Sequence, residues 1–95
     1  MRFEWDKKKN KINFIKHKIS FETAMSVFKD KNRLEIYDAL HSEIEDRYMT
    51  IGVINNVVYL VTVIYTERGE VIRLISARKA TLEERKKYYD YKKRN

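Results

Sequence analysis

Residues 57–77 read VVYLVTVIYTERGEVIRLISA, and this stretch decides the fold class. Its first part, residues 57–66, is almost continuously apolar, as expected of a central strand that is covered on both faces. The next four residues, ERGE at 67–70, have the composition of a tight turn, with Gly69 supplying an unusual φ. Residues 71–77 then return to strand-forming residues. The stretch predicts two neighbouring strands of an antiparallel meander.

Further strands are predicted on the N-terminal side of this pair. Residues 33–37 alternate polar and apolar side chains, and residues 47–54 are rich in β-forming residues. Asn55 and Asn56 suit a two-residue hairpin turn, because asparagine tolerates a positive φ. Residues 2–5 form a short strand at the start of the chain.

Two helices are predicted near the N-terminus. Asp6 can cap a lysine-rich helix that runs to about His17, on which Ile12 and Ile15 form a narrow apolar face. Ser20 can cap a second helix with a buried stripe at the spacing i, i+3, i+4 and i+7. The residues of that stripe are Phe21, Ala24, Met25 and Phe28.

A third helix is predicted at the C-terminus, where Thr81 and Glu84 have the spacing of a capping box and the helix runs towards Lys93. The predicted fold class is therefore α+β: a two-layer domain with a mainly antiparallel sheet, two N-terminal helices and a C-terminal helix. With 95 residues the chain has room for one domain, residues 1–95.

The chain is strongly basic, with a net charge of +7. Residues 1–20 carry seven lysines and arginines against two acids, and residues 78–95 carry eight against three. Such ends indicate a polyanion or an acidic protein partner; the alternative is a solvated surface that serves only solubility. The longest apolar stretch, residues 57–65, is too short to cross a bilayer, which needs roughly 20 residues. We expect a cytoplasmic protein that does not bind membranes.

Most catalytic motifs are missing from the sequence. It contains no phosphate-binding glycine loop and no GxSxG motif, and the absence of cysteine excludes thiol chemistry. His17 and His41 are too isolated to indicate a metal site. We therefore expect no metal and no cofactor.

The candidate site residues are cations near the last strand. Arg73 is costly within an apolar strand unless it is paired, with Glu67, Glu70 or a helix acid as candidates, or faces an open surface. Strict alternation places Arg73 and Arg78 on opposite faces of the sheet. The two converge only if the strand bends or bulges near residues 76–77.

Basic and aromatic residues alternate in the segment that follows, a pattern that suits single-stranded RNA because cations hold phosphates while rings stack on bases. The RNA-binding candidates are Arg68 in the turn, then Lys79, Arg85 and Tyr88. The same pattern fits side chains that only pack along the surface, and Tyr88 fits packing on the sheet as well as stacking.

Two motifs resemble the BrnT family. One comprises YTERGE at 65–70, IRLISARKAT at 72–81, Glu84-Arg85 and Tyr88; the other comprises FEWD at 3–6, Lys9, Asn13, KH at 16–17, SFE at 20–22 and Ala24. The resemblance covers nearly the whole chain and is weakest at residues 29–45. Lys18 and Lys79 depart from it, since the family usually has glycine and commonly has arginine at these positions.

The resemblance implies a bacterial type II toxin with a RelE-like fold. It implies a ribonuclease that blocks translation, is neutralised by a BrnA antitoxin, and reaches operator DNA mainly through that antitoxin. RelE-like enzymes cleave RNA without a metal, by attack of the ribose 2′-OH on the adjacent phosphate. On this hypothesis Arg73 and Arg78 stabilise the phosphate, while Arg68, Lys79 and Arg85 position RNA.

His17 is the candidate acid or base, since its pKa range suits proton transfer; alternatively it ends the first helix and packs under Trp5. Two other functions remain open at this point. One is a module that binds RNA or DNA without cleaving it, and the other is an interaction protein whose basic face only holds an antitoxin.

Overall fold

The computed structural model describes residues 1–54 and 60–94, and the predicted turn at Asn55 and Asn56 lies outside them. The elements in chain order are β1 Arg2–Glu4, α1 Lys7–His17, α2 Phe21–Ala24, a 3-10 helix Met25–Lys29, β2 Leu34–Tyr37, a 3-10 turn Ala39–His41, β3 Arg47–Val53, β4 Leu60–Arg68, β5 Val71–Lys79 and α3 Leu82–Arg94.

The five strands form one mixed sheet in the order β1-β5-β4-β3-β2. β1 runs parallel to β5, and the other neighbouring strands are antiparallel. β4 is the middle strand, and its side chains from Leu60 to Val63 are buried on both faces. The continuous apolar run thus marks a central strand, and Gly69 has the predicted positive φ in the turn that follows.

The prediction of a second N-terminal α-helix is wrong, because this segment is not one regular α-helix. Ser20 caps a single α-turn, α2, which passes directly into the 3-10 helix. Phe21, Ala24 and Val27 are fully buried here and recur every three residues. That spacing matches the three residues per turn of a 3-10 helix, which places all three on one side.

α3 covers the opposite face of the sheet, so the domain is not two-layered as predicted. Tyr88 of α3 packs with Ile51 and Leu60, whereas α2 and the 3-10 helix pack with Val61 and Val63. Neighbouring residues of β4 point to opposite faces. A strand that is apolar on both faces needs a cover on both.

α1 turns its apolar residues outwards, contrary to the prediction. Ile12 and Ile15 are 61% and 64% exposed, and the buried residue of this helix is Asn13. A polar side chain is inside because α1 lies against a sheet edge, where backbone groups need hydrogen-bond partners.

Asn13 closes the open edge of β5. β1 pairs with Val71, Ile72 and Arg73, and among residues 1–54 and 60–94 no strand lies beside the rest of that edge. The Asn13 amide nitrogen donates to the Ala77 carbonyl at 2.8 Å, and the Ala77 N–H donates to the Asn13 side-chain oxygen at 3.1 Å. The same amide nitrogen donates to the Ile19 carbonyl at 2.8 Å. One side chain therefore joins α1, the α1–α2 loop and β5.

Lys18 ends α1 in the left-handed conformation, with φ 62°. Its N–H donates to the Phe14 carbonyl at 2.8 Å. Glycine adopts this φ most easily, so lysine takes the cap position at some strain.

We predict that Asn13→Ala lowers the free energy of unfolding by about 2–4 kcal/mol, because it leaves buried backbone groups of Ala77 and Ile19 without partners. Urea denaturation measures the change. Lys16→Ala, on the exposed side of the same helix, is the control and should change stability by less than about 0.5 kcal/mol. Equal stability of the two variants would show that Asn13 does not hold the edge.

Candidate functional site

A β-bulge in β5 decides where the candidate arginines point. Tyr65 pairs with Leu74, and Ile64 pairs with Ser76, so Ile75 is an extra residue without a partner on β4. The extra residue reverses the alternation beyond it. Arg73 and Arg78 therefore lie on the same face of the sheet, which is the condition stated above for their convergence.

We call this surface the arginine face: the side of the sheet that carries α3, and on it Arg47, Thr66, Arg73 and Arg78. Arg78 lies opposite Thr62 and Arg73 lies opposite Thr66, four residues further along β4. At the usual rise per residue, the two arginine positions are about 13 Å apart. They face one surface but do not meet at one point.

Arg78 is held by Glu84 in a bidentate ion pair. Its two terminal guanidinium nitrogens donate to the two carboxylate oxygens at 2.7 and 3.0 Å. The Glu84 side chain is 13% exposed and that of Arg78 is 31% exposed. Two parallel charge-assisted bonds fix the plane of the guanidinium as well as its position.

Glu84 also closes the predicted capping box of α3. The Thr81 N–H donates to its carboxylate at 2.9 Å, and the Glu84 N–H donates to the Thr81 hydroxyl at 3.2 Å. The Thr62 hydroxyl donates to the same carboxylate at 2.9 Å. Burial raises the pKa of Glu84, but the bonds from Arg78, Thr81 and Thr62 outweigh it and lower the pKa to about 2. The carboxylate is therefore ionised at neutral pH.

Arg73 and Arg68 share a second carboxylate. Arg73 donates to Glu4 of β1 at 2.8 Å, and Arg68 lies 3.7 Å from the same Glu4 oxygen. Arg68 also makes a bidentate pair with Glu45, at 2.8 and 3.2 Å. Arg73 is thus ion-paired, but its partner is a β1 residue and none of the acids considered from the sequence.

Arg47 and Thr66 belong to the arginine face and were missed from the sequence. Arg47, Thr66, Arg73 and Glu4 lie opposite one another across four strands. Thr66 is 2% exposed, and its hydroxyl has no hydrogen-bond partner within the described residues. Nothing in the local sequence around Arg47 signals a site, because only the strand register brings it into this row.

The C-terminal candidates separate into exposed and buried residues. Arg85 and Lys79 are exposed, and Arg85 lines a shallow groove with Tyr89. Tyr88 is 1% exposed, and its hydroxyl donates to Asp30 at 2.7 Å. Of the two roles open for Tyr88, the structure shows packing on the sheet, and it leaves no ring face for a base. The neighbouring exposed ring is Tyr89, at 45%.

His17 lies in the last turn of α1, one turn beyond Asn13, whose amide binds Ala77 of β5. Its side chain makes no hydrogen bond or ion pair within residues 1–54 and 60–94. The structure does not bring it into contact with Arg73 or Arg78. Trp5, under which His17 was alternatively expected to pack, makes an edge-on ring contact with Phe21.

Over the described part of the chain, no three histidine, aspartate or glutamate side chains form a group that could hold a metal ion. None of the helices described there is long and apolar enough to cross a membrane.

The fold and the arginine face define a small basic α+β protein with the surface chemistry of a polyanion-binding protein. The family described as "Ribonuclease toxin, BrnT, of type II toxin-antitoxin system" matches residues 5–84. The match covers most of the chain, so the protein belongs to the BrnT family, as the two motifs predicted. No curated protein matches the chain. Family membership implies RNA as the target and an antitoxin as the partner.

We predict that Glu84→Gln destabilises the protein by roughly 1–3 kcal/mol at pH 7, because it removes charged hydrogen bonds to Arg78. The folded-state pKa of Glu84 lies below its ordinary value of 4.5. Its contribution is therefore complete above pH 4.5 and is lost as the pH falls towards about 2. Urea denaturation of both proteins from pH 7 to pH 2 measures the difference.

The control is Glu83→Gln, since that side chain is 81% exposed and its ion pair with Lys87 is long, at 3.7 Å. Its stability should follow the wild type at each pH. A difference between Glu84→Gln and wild type that does not change with pH would contradict the role of the carboxylate charge.

Proposed function

We propose that this BrnT-family toxin is a metal-independent endoribonuclease whose active site is the arginine face. The observation that carries the proposal is the bulge at Ile75, which brings Arg73 and Arg78 to one open sheet surface. The family's description as ribonuclease toxins supports the reaction class. The α+β sheet with helices at both ends is compatible with the RelE-like fold that the resemblance implies.

The proposed chemistry is attack of the ribose 2′-oxygen on the adjacent phosphorus, which breaks the bond to the 5′-oxygen of the next nucleotide and leaves a 2′,3′-cyclic phosphate. A base takes the proton of the 2′-OH, and an acid protonates the leaving 5′-oxygen. Negative charge then builds on the non-bridging phosphate oxygens, and fixed cations in a partly buried site stabilise that charge. Arg78 is the best oriented of these cations, because Glu84 fixes its plane. A phosphate that binds Arg78 would take up the guanidinium edge now facing Glu84, or the remaining edge beside it.

Because Arg73 and Arg78 are far apart, we expect them to bind different phosphates along the RNA. Side chains about 13 Å apart fit two points of a nucleic-acid backbone better than two sides of one phosphate. Arg78 would hold the reacting phosphate, and Arg73 with Arg47 a neighbouring one. Arg68, Lys79 and Arg85 would attract and position the strand.

His17 is the proposed acid or base. It is supported by its position one turn beyond Asn13, which binds Ala77 of β5, and by a ring that has no hydrogen-bond or ion-pair partner within residues 1–54 and 60–94. The other histidine, His41, is bound to Asp38 at 2.9 Å. RNA that crosses the edge of the sheet at Arg78 would pass close to the end of α1.

The proposed cellular role is inhibition of translation through RNA cleavage in the cytoplasm, with neutralisation by a BrnA-type antitoxin. Contact with operator DNA would come through the toxin–antitoxin complex. The net charge of +7 supports a polyanionic substrate.

We predict that Arg73→Ala and Arg78→Ala each lower kcat/KM for RNA cleavage by about 10²–10³, the usual effect of removing a donor that stabilises a transition-state oxyanion. Arg78→Lys should recover only part of the loss, since lysine keeps the charge but not the fork. The assay follows cleavage of RNA in the presence of EDTA, alongside growth after expression without antitoxin.

Lys93→Ala removes one positive charge from an exposed position of α3 and serves as the control, with activity close to wild type. Full toxicity and cleavage by both arginine variants would reject the arginine face as the active site. Tight, salt-sensitive binding of RNA without products by the wild type would favour the non-catalytic binding module.

We predict that His17→Gln slows RNA cleavage by about 10²-fold or more, the usual effect of removing a general acid or base. His41→Gln is the matched control, because that ring is 60% exposed and bound to Asp38, and it should cleave RNA at the wild-type rate. A wild-type cleavage rate in His17→Gln would contradict a role of His17 in proton transfer.

A further inference from the structure

The outer side of α1 exposes apolar side chains that nothing in the fold uses. Ile12, Phe14 and Ile15 are 61%, 51% and 64% exposed, although α1 is only 11 residues long. Ile12 and Ile15 are neighbours on the helix surface, one turn apart. We call this surface the α1 outer face. Apolar side chains grouped in this way mark interaction sites more often than isolated ones do.

Lysines surround these apolar residues. The chain has six lysines from residue 7 to residue 18 and no acid in that range. Two carboxylates lie against this helix: Asp6 accepts hydrogen bonds from the N–H groups of Lys8 and Lys9 at its start, and Glu22 accepts one from the Asn10 amide at 2.8 Å. Six lysines against these two carboxylates leave the α1 outer face apolar in the middle and net positive around it.

A shallow groove runs beside the apolar residues. Its volume is about 480 Å³, and it is lined by Lys7, Asn10, Lys11, Phe14, Ile15 and Ser20. A groove with an apolar floor and lysines at its rim is suited to aliphatic side chains from a partner that also carries carboxylates.

We propose that the α1 outer face docks an acidic amphipathic helix of the antitoxin. This inference rests on the antitoxin partner of the proposed function, but on none of the catalytic residues. Charge complementarity selects this occupant. A second copy of the chain would bring two lysine-rich helices together, and the repulsion opposes that pairing. RNA could stack a base only on Phe14, since Ile12 and Ile15 have no ring, so most of this apolar surface would stay unused by RNA.

The proposed docking site is separate from the arginine face. α1 lies along the edge of β5, and its outer face points away from the sheet, whereas Arg73 and Arg78 lie on the side of the sheet that carries α3. Binding at α1 would therefore hold the antitoxin without itself covering the arginines, so attachment and neutralisation are separable contacts.

The test uses Ile12→Glu/Ile15→Glu in the full chain and the antitoxin encoded beside the toxin. Calorimetry should show affinity for the antitoxin reduced by about 10–100-fold, because the change removes buried apolar contacts and adds carboxylates opposite an acidic helix. Ribonuclease activity without antitoxin should stay at the wild-type level. Lys8→Glu/Lys11→Glu is a second variant with the same expected direction and no change in apolar surface.

The control is Leu40→Glu/Ile44→Glu, which makes the same chemical change at side chains that are 80% and 101% exposed but lie outside α1. The affinity of this control variant for the antitoxin should remain within about twofold of wild type. Wild-type affinity in both α1 variants would overturn the proposal.

Two other results would show that the α1 outer face binds something other than the antitoxin, and either would overturn the proposal. One is co-sedimentation with phosphatidylcholine–phosphatidylserine vesicles that is lost in Ile12→Glu/Ile15→Glu. The other is a wild-type dimer in sedimentation velocity that this variant converts to monomer. A toxin without nuclease activity that still loses antitoxin affinity in the α1 variants would reject the proposed function and leave the docking site intact.

Discussion

The contact between Asn13 and Ala77 is the constraint on which the rest of the structure depends. Where β1 ends, the remaining edge of β5 exposes backbone groups that must find hydrogen-bond partners. Asn13 supplies one acceptor and one donor to Ala77, as a neighbouring strand would. This contact fixes the last part of β5 beside α1 and leaves the surface of the helix that points away from the sheet free of packing. The α1 outer face follows from this contact, and the same contact holds the part of β5 that leads to Arg78.

Glu84 joins the fold to the candidate chemistry. Its carboxylate completes the helix cap with Thr81 and also holds Arg78, so the start of α3 and the arginine cannot be positioned independently. A partly buried ion pair contributes little to stability by itself, since desolvation offsets most of the attraction. Its consequence here is geometric: Arg78 has one orientation before any ligand arrives.

The sequence predicted the elements better than their arrangement. The central strand, the turn at Gly69 and the caps at Asp6, Ser20 and Thr81 follow from local chemistry, and each is confirmed. The bulge at Ile75 does not follow, because strict alternation is the only rule that a strand sequence offers. That Arg73 and Arg78 share a face therefore becomes visible only in the pairing register of β4 and β5.

Two further differences have the same origin in tertiary context. Ile12 and Ile15 suggested an inward apolar stripe, yet the edge of β5 required the amide of Asn13, and polar satisfaction of the backbone decided which side of α1 is buried. Tyr88 and Tyr89 are adjacent and alike in sequence. The side of α3 that faces the sheet decides which ring is buried: Tyr88 packs with Ile51 and Leu60 and donates to Asp30, whereas Tyr89 stays exposed.

The glutamates paired with Arg73 and Arg78 also determine how a phosphate of RNA can bind these arginines. Arg73 and Arg78 already have carboxylate partners, so a phosphate must compete with Glu4 and Glu84 and does not meet free cations. A guanidinium has five donors, and one carboxylate uses two of them at most. A phosphate can therefore join the pair from another edge, and the arginine stays fixed while charge builds on the oxygen. An arginine held in this way loses little freedom on binding, which favours the charged transition state over a flexible surface cation.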